Sequence, residues 1–396
     1  MMIAAIIAIS LALDAFIVWR LKDYAFLPKW VAVAYAILAI TINLVFLVYI
    51  LLLQHKSGAE MHGQMNTLFY FSTFLLPKLV FFIISIWGQL PIVNHTIARP
   101  ICDSIGLVAT MSLLAAIWWG NLVNINKIQV NQIEISSPKI PKGFNGFRIA
   151  QISDLHIGSR GNDATFFNKL STKINSLNPD LIVFTGDLVN GIASETTPFR
   201  MPLENMKATY GVHSVLGNHD YGTYVPWRSN EEREANLNSL KDFERSIGWD
   251  LMLNESKAIC HNGDSIILIG VENWGIRPFP QLGDMSKAYD GLNDSNFKIL
   301  LSHDPSHWRK KVVPETNIDL TLSGHTHGMQ SIVTIFGKKY SFSSLKYKEW
   351  CGLYKEGEQI LYVNIGAGFI GFKTRIGDAL PEITLFTLKH QEQCNQ

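Results

Sequence analysis

Nine residues able to bind metal ions or move protons stand directly after short apolar runs. FRIAQIS (147–153) is followed by Asp154 and His156, LIVFTG (181–186) by Asp187, and GVHSVLG (211–217) by Asn218, His219 and Asp220. KILLS (298–302) is followed by His303, and IDLTLSG (318–324) by His325 and His327. Carboxylate oxygens suit hard divalent ions, and imidazole suits zinc and iron. A carboxylate such as Asp187 can bridge two ions roughly 3.5–4 Å apart, the spacing of two-metal hydrolytic sites. Gly186, Gly217, Gly324 and Gly328 lie beside these residues and allow tight turns and close backbone approach. Each pair alone recurs by chance, and His213, His261 and His307 are expected to be ordinary surface or core histidines. The ordered set carries the chemistry.

The runs themselves read as strands. They are nearly continuous in Val, Ile and Leu, which suits a sheet buried on both faces. Further runs follow at Ser265–Asn273, Gln359–Gly366 and Ile383–Leu388, and Phe166, Phe167, Leu170, Ile174 and Leu177 recur at helical spacing over Thr165–Leu177. In an open α/β sheet, ligands bind beyond the carboxyl ends of the strands, so residues far apart in sequence would converge there. Gly366-Ala-Gly368-Phe-Ile-Gly371 matches a dinucleotide-binding pattern. Lys373, Arg375, Gly377 and Pro381 follow it, which is poor material for the helix such a site needs, so it is expected to be a loop near the site. There Lys373 and Arg375 either touch substrate phosphate or are solvated. Tyr221–Leu251, with the charged run Glu231–Arg245, is either a cap over the site or a solvated surface helix.

Residues 1–124 are different in kind. Four apolar stretches, Met2–Trp19, Trp30–Leu53, Leu68–Trp87 and Ser104–Val123, approach the ~20 residues needed to cross a bilayer. The first is expected to be a retained helix, since it lacks a basic start and a cleavage site. Asp14 and Lys78 fall at membrane depth and are expected to face the bundle or snorkel. Arg20, Lys22 and Lys29 surround the first loop, against Lys56 in the second and Arg99 in the third. Positive-inside counting then puts both termini, and the catalytic part, outside. The net charge of +1 gives no electrostatic case for nucleic acid. Cys102, Cys260, Cys351 and Cys394 show no zinc or disulfide framework. Free thiols are the plainer reading, and a Cys260–Cys351 bridge is the alternative.

With DLHIG at 154–158, GD at 186–187, GNHD at 217–220, SH at 302–303 and GHTHGMQ at 324–330, the chain resembles the calcineurin-like metallophosphoesterases from about Phe147 to Leu388. By GHTHGMQ and the closing PEITLFTL (381–388), it is most similar to their bacterial membrane-associated branch, some of whose members act on the diphosphate of UDP-diacylglucosamine. The resemblance implies a four-layer α/β/β/α sandwich; taken with the apolar stretches, 125–396 is expected to be the phosphoesterase domain and 1–124 an all-α transmembrane bundle of about four helices, in a bacterial inner membrane. It implies two divalent ions, of manganese, iron, zinc or magnesium. Asp154, His156, Asp187 and His327 would hold one, and Asp187, Asn218, His303 and His325 the other. A metal-bound hydroxide would attack phosphorus in a phosphodiester, diphosphate or phosphomonoester of a small molecule or lipid. His219 would contact the phosphoryl group or protonate the leaving oxygen, with Asp220 orienting its ring. Met329 stands where this branch usually has glycine and is expected to alter packing while leaving the ligands intact. Competing readings are a broad periplasmic phosphodiesterase, a protein serine/threonine phosphatase, and a membrane sensor with a non-catalytic phosphate-ligand domain.

Overall fold

The computed structural model describes residues 2–53 and 61–392; Lys56 and Cys394 lie outside them. The chain divides into two compact units, one running to Asn121 and including Gly371–Thr374, the other comprising Leu122–Ile370 and the chain from Arg375 on.

The first unit contains helices α1 (Met2–Asp23), α2 (Lys29–Leu53), α3 (Met61–Ser85) and α4 (His95–Leu122). Among the described residues, three segments, Lys29–Leu52, Met65–Gln89 and His95–Asn126, are long and apolar enough to cross a membrane, and none of the three lies in α1. Asp14 and Lys78 face the interior of the unit and each other. Lys78 Nζ lies 2.9 Å from Asp14 Oδ1 and donates to Ser10 Oγ at 2.8 Å. The Asp14 carboxylate also accepts from Tyr35 Oη at 2.8 Å and Asn43 Nδ2 at 2.9 Å. A second cluster joins Arg20 to Asp103 at 2.6 Å, with Tyr24 and Ser85 donating to the same carboxylate. Charges in an apolar surround persist only with partners of this kind.

The second unit is built on two six-stranded sheets. Its strands are β1 (Gln129–Ser137), β2 (Arg148–Ile152), β3 (Leu181–Phe184), β4 (Val212–Ser214), β5 (Trp249–Leu251), β6 (Glu255–His261), β7 (Asp264–Gly270), β8 (Lys298–Leu301), β9 (Leu320–Ser323), β10 (Ser331–Ile335), β11 (Lys338–Tyr340), β12 (Gly352–Glu356), β13 (Gln359–Val363), β14 (Ile376–Gly377) and β15 (Glu382–His390). One sheet runs β1-β15-β2-β3-β4-β5, the other β12-β13-β9-β8-β7-β6, and β11-β10-β14 form a small third sheet. The β2–β5 and β13-β9-β8-β7 blocks are parallel, as the continuous apolar runs imply.

Side chains alternate between faces along each strand, and the two large sheets pack through that alternation. Ile149, Leu181 and Val183 of the first sheet meet Leu268, Ile299 and Leu322 of the second in one buried core. The intervening residues Ala150, Ile182 and Phe184 turn outward onto α5 (Thr165–Ser176), whose Phe167, Leu170 and Ile174 are buried. On the far side Ile269, Leu300 and Val363 pack against Trp308 and Val312. Helix, sheet, sheet and helix form the four layers. A short helix, α6 (Arg200–Glu204), precedes α7 (Asn230–Ser246), which carries the charged run Glu231–Arg245. Leu240 of α7 is buried in the same outer core as Trp249, so α7 is a covering surface helix of the sandwich.

Candidate metal centre

The polar residues after β2, β3, β4, β8 and β9 project from the carboxyl ends of parallel strands. Their backbones are unusual. Asp154 (φ 51°), His156 (42°), Asp187 (60°), His325 (73°) and His327 (51°) all occupy the left-handed region. For residues with a Cβ this costs roughly 1–2 kcal/mol each, and such strain concentrates where function requires it. It turns the chain sharply off each strand, so that neighbouring side chains fall on one point. The glycines make room. A Cβ on Gly217 would collide with the Asp187 carboxylate, and one on Gly324 with that of Asp154. Met329 also has a left-handed backbone (φ 45°) and is 60% exposed at the rim, which accounts for glycine suiting this position.

Three groups of donors lie together: Asp154 with His156 and His327; His156 with Asp187 and His219; Asp187 with His303 and His325. His156 Nε2 is 3.1 Å from His327 Nε2 and 3.6 Å from Asp187 Oδ2. His303 Nε2 is 3.2 Å from Asp187 Oδ2, from Asn218 Oδ1 and from His325 Nδ1 alike. Acceptors that converge so tightly fit a cation better than they fit one another. The His156 and His327 Nδ1 atoms are buried without a hydrogen-bond partner. His303 Nδ1 instead donates to the Thr185 carbonyl at 2.7 Å, which leaves its Nε2 lone pair for an ion.

The electrostatics agree. Burial opposes charge on Asp187, yet the His303 and His219 rings hold it well below the usual carboxylate range. Burial likewise opposes charge on His303, and Asp187 overrides it, raising the ring to about 10. The site thus attracts positive charge, and a metal ion binding there would displace that proton. Asp154 is lowered by His327 against its burial, and burial keeps His156 neutral.

His219 and Asp220 are placed differently from each other. The His219 amide donates to Asp187 Oδ1 at 2.8 Å, and its ring Nδ1 meets the Asn190 carbonyl at 3.0 Å. Its ring also packs on Tyr224, centroids 4.4 Å apart. Asn190 therefore orients the ring, the task expected of Asp220. Asp220 instead accepts from the amides of Asp187, Leu188, Val189 and Gly217 at 2.8–3.2 Å, pinning the β3 and β4 turns together. Burial and the Asp187 charge push it up to about 7.

Residues 147–329 match the calcineurin-like phosphoesterase family. The chain is 30% identical over 332 residues to the UDP-2,3-diacylglucosamine pyrophosphatase LpxG of Chlamydia trachomatis, covering 71% of this chain and 97% of that one. It belongs to the calcineurin-like phosphoesterases. This phosphoesterase is also 32% identical to the uncharacterized metallophosphoesterase YkuE of Bacillus subtilis, over 66% of its own length and 86% of the relative. A Danio rerio transmembrane protein with metallophosphoesterase domain is 30% identical; the match covers 66% of this chain and only 57% of that relative. The chain is thus a phosphate-ester hydrolase, with helices long and apolar enough to cross a membrane.

The donors open into a cleft of about 300 Å³ whose wall also includes Tyr224, Phe279, Lys346 and Tyr347. Tyr347 Oη is 2.7 Å from His325 Nε2, and Asn218 Nδ2 donates to Tyr224 Oη at 2.9 Å. These wall residues carry no signal of spacing in the sequence. The Gly366–Gly371 segment is a loop, as expected, but its basic residues behave otherwise. Arg375 is fully buried, and its guanidinium donates to the carbonyls of Ile365, Gly366, Gly368, Ala379 and Leu380 at 2.5–3.3 Å. It is a staple of the loop, neither solvated nor free for phosphate. Lys373 groups with the helical unit, where its amine donates to Asn66 at 3.1 Å. Cys102, Cys260 and Cys351 are free thiols.

Proposed function

We propose that this phosphoesterase holds two divalent ions and cleaves a diphosphate or phosphodiester bond of a lipid-linked substrate, with residues 125–396 as the catalytic domain and residues 1–124 as its anchor. The observation that supports it is the place of Asp187, grouped with His156 and His219 on one side and with His303 and His325 on the other; His156 also groups with Asp154 and His327, and Asn218 lies 3.2 Å from His303. Manganese, iron, zinc and magnesium all suit this mixed oxygen and nitrogen set. Bound there, two such ions supply Lewis acidity and activate water for in-line displacement. The chain's own residues do the rest. His219, held at Nδ1 by Asn190, presents Nε2 to the cleft and gives a proton to the leaving oxygen. Asp220 holds the two turns that carry Asp187 and His219 in register. Lys346, at the cleft wall, lies 4.5 Å above the Phe279 ring and offers its ammonium to a second phosphate. A lipid-linked substrate accords with the chlamydial relative and with confinement of enzyme and substrate to one surface.

The test is turnover of bis-p-nitrophenyl phosphate, p-nitrophenyl phosphate and a UDP-linked lipid diphosphate by the full chain and by Asp187→Asn, with and without manganese and with metal analysis. Metal-dependent turnover of the lipid diphosphate, lost in Asp187→Asn, is expected. Preference for the small diester would redirect the assignment to a broad phosphodiesterase.

A further inference from the structure

The small third sheet turns the wrong face to water. In β10 only Ile332 packs into the body of the unit, fully buried, while the exposed Thr334 hydroxyl donates to Asp378 at 2.5 Å. Val333 and Ile335 alternate with them and are 47% and 49% exposed. Their antiparallel partners across the hairpin are Tyr340 and Lys338, so Val333, Ile335 and Tyr340 form one continuous exposed apolar face. The hairpin tip is Phe336, with a left-handed backbone and its side chain fully exposed at 102%. The segment after β11 extends the same surface, with Phe342 69% and Leu345 84% exposed. A half-buried antiparallel ribbon ordinarily shows polar side chains outward, and contiguous exposed apolar surface marks an interaction site.

Lysines dominate the charge along the hairpin and the segment after it, with Asp378 held by Thr334 at the edge. Lys338–Lys348 holds four lysines and no acid, and all four are exposed. Bulky apolar side chains at a tip, ringed by lysines, match the chemistry of an anionic bilayer surface: rings and aliphatic chains enter the headgroup boundary while ammonium groups meet lipid phosphates. Two further observations favour a bilayer over a protein partner. The chain carries helices long and apolar enough to cross a membrane, so this unit is tethered near one and even a weak contact is populated at high effective concentration. The segment also runs into the catalytic cleft, since Ser343, Lys346 and Tyr347 line both the lysine-rich stretch and the cleft wall.

We infer that the β10–β11 hairpin and the Phe342–Leu345 segment form a second membrane contact, seating the cleft against an anionic lipid surface so that lipid-linked substrate enters from the bilayer. The contact itself does not depend on which phosphate bond is cut. The experiment places a single environment-sensitive fluorophore on Phe336→Cys in the full chain, with its native cysteines replaced by serine, and reconstitutes it in vesicles of phosphatidylcholine with or without phosphatidylglycerol. Quenching by nitroxide-bearing lipid is expected, stronger with phosphatidylglycerol and weakened by high salt. Quenching by aqueous iodide alone, or a fluorophore–fluorophore signal showing that the tip docks on a second copy, overturns the inference. A second readout is kinetic. Phe336→Ser with Leu345→Ser is expected to raise KM severalfold for a vesicle-borne lipid diphosphate and to leave kcat/KM for bis-p-nitrophenyl phosphate unchanged. Equal losses on both substrates overturn it.

Discussion

His219 sits among the donors, and the proposed mechanism gives it the role of proton carrier. Its Nδ1 is committed to a backbone carbonyl, and its ring is fixed by the Tyr224 face. Replacing it with alanine is expected to lower kcat by ~10²–10⁴-fold, the range for a general acid, while metal content measured by elemental analysis stays at the wild-type level. A fall in bound metal would instead make it a ligand alongside His156 and Asp187. A different carboxylate sets a pH limit on stability. Glu244 of α7 is fully buried; Ser214 donates to its Oε2 at 2.5 Å, and its Oε1 has no partner. Burial, reinforced by the Asp220 charge, pushes it from 4.5 up to about 8. The native state therefore keeps a proton that the unfolded chain releases. Glu244 is fully compatible with folding below its unfolded value, and stability falls as pH rises through the window up to its folded value, by up to ~1.4 kcal/mol per unit. Glu244→Gln is expected to flatten that decline in thermal melts taken from mildly acidic to mildly alkaline pH. The carboxylates and histidines of the donor cluster were legible in the sequence because each follows an apolar run, so sheet geometry alone implies where it points. Asn190, Tyr224, Phe279 and Tyr347 were not, because they come from loops where no periodicity says what faces what.

At the scale of elements, the same distinction holds. The parallel strands that are buried on both faces stood out as continuous Val, Ile and Leu runs, and α5 as a helical stripe. Strands such as β6, β10 and β12 are partly exposed and mix Lys, Ser, Thr and Tyr with apolar residues, so their pattern is indistinct without their neighbours. The loop from Ile365 to Leu380 shows why composition misleads. A basic residue among glycines reads as solvated, yet Arg375 donates to carbonyls that face inward from both ends of the loop. Gly366 packs against Asp154, so the loop's position reaches the metal centre. Arg375→Lys keeps the charge but loses the planar fork. It is expected to cost ~3 kcal/mol, as for a broken buried network, and to weaken metal binding; a melting curve and a metal titration measure both. Unchanged metal affinity in a destabilised protein would confine Arg375 to folding.

For the whole molecule, the parity of membrane crossings decides where the hydrolase works. Three segments satisfy length and apolarity on their own, and an odd number of crossings would separate the N-terminus from the catalytic unit. The buried pair in the helical unit argues for a fourth. Asp14 is the charge in the middle of α1, and Lys78 of α3 neutralises it at 2.9 Å with Tyr35 and Asn43 completing its hydrogen bonds. A compensated carboxylate no longer bars a 22-residue helix, about 33 Å long at 1.5 Å per residue, from spanning. Arg20, Lys22 and Lys29 flank the α1–α2 loop, and such loops stay on the cytoplasmic side. Four crossings from that start would put the N-terminus and the catalytic unit together on the outer side, which is the arrangement we propose. Cys260, exposed on β6, is a native reporter of this arrangement. In right-side-out vesicles a membrane-impermeant maleimide is expected to label Cys260 without detergent, while a cysteine introduced at Phe26 in the first loop reacts only after permeabilisation. The reverse pattern would mean that the substrate is met on the cytoplasmic leaflet, and labelling of both without detergent would mean that one of α2, α3 and α4 does not cross, since three crossings keep the first loop and the catalytic unit on opposite sides.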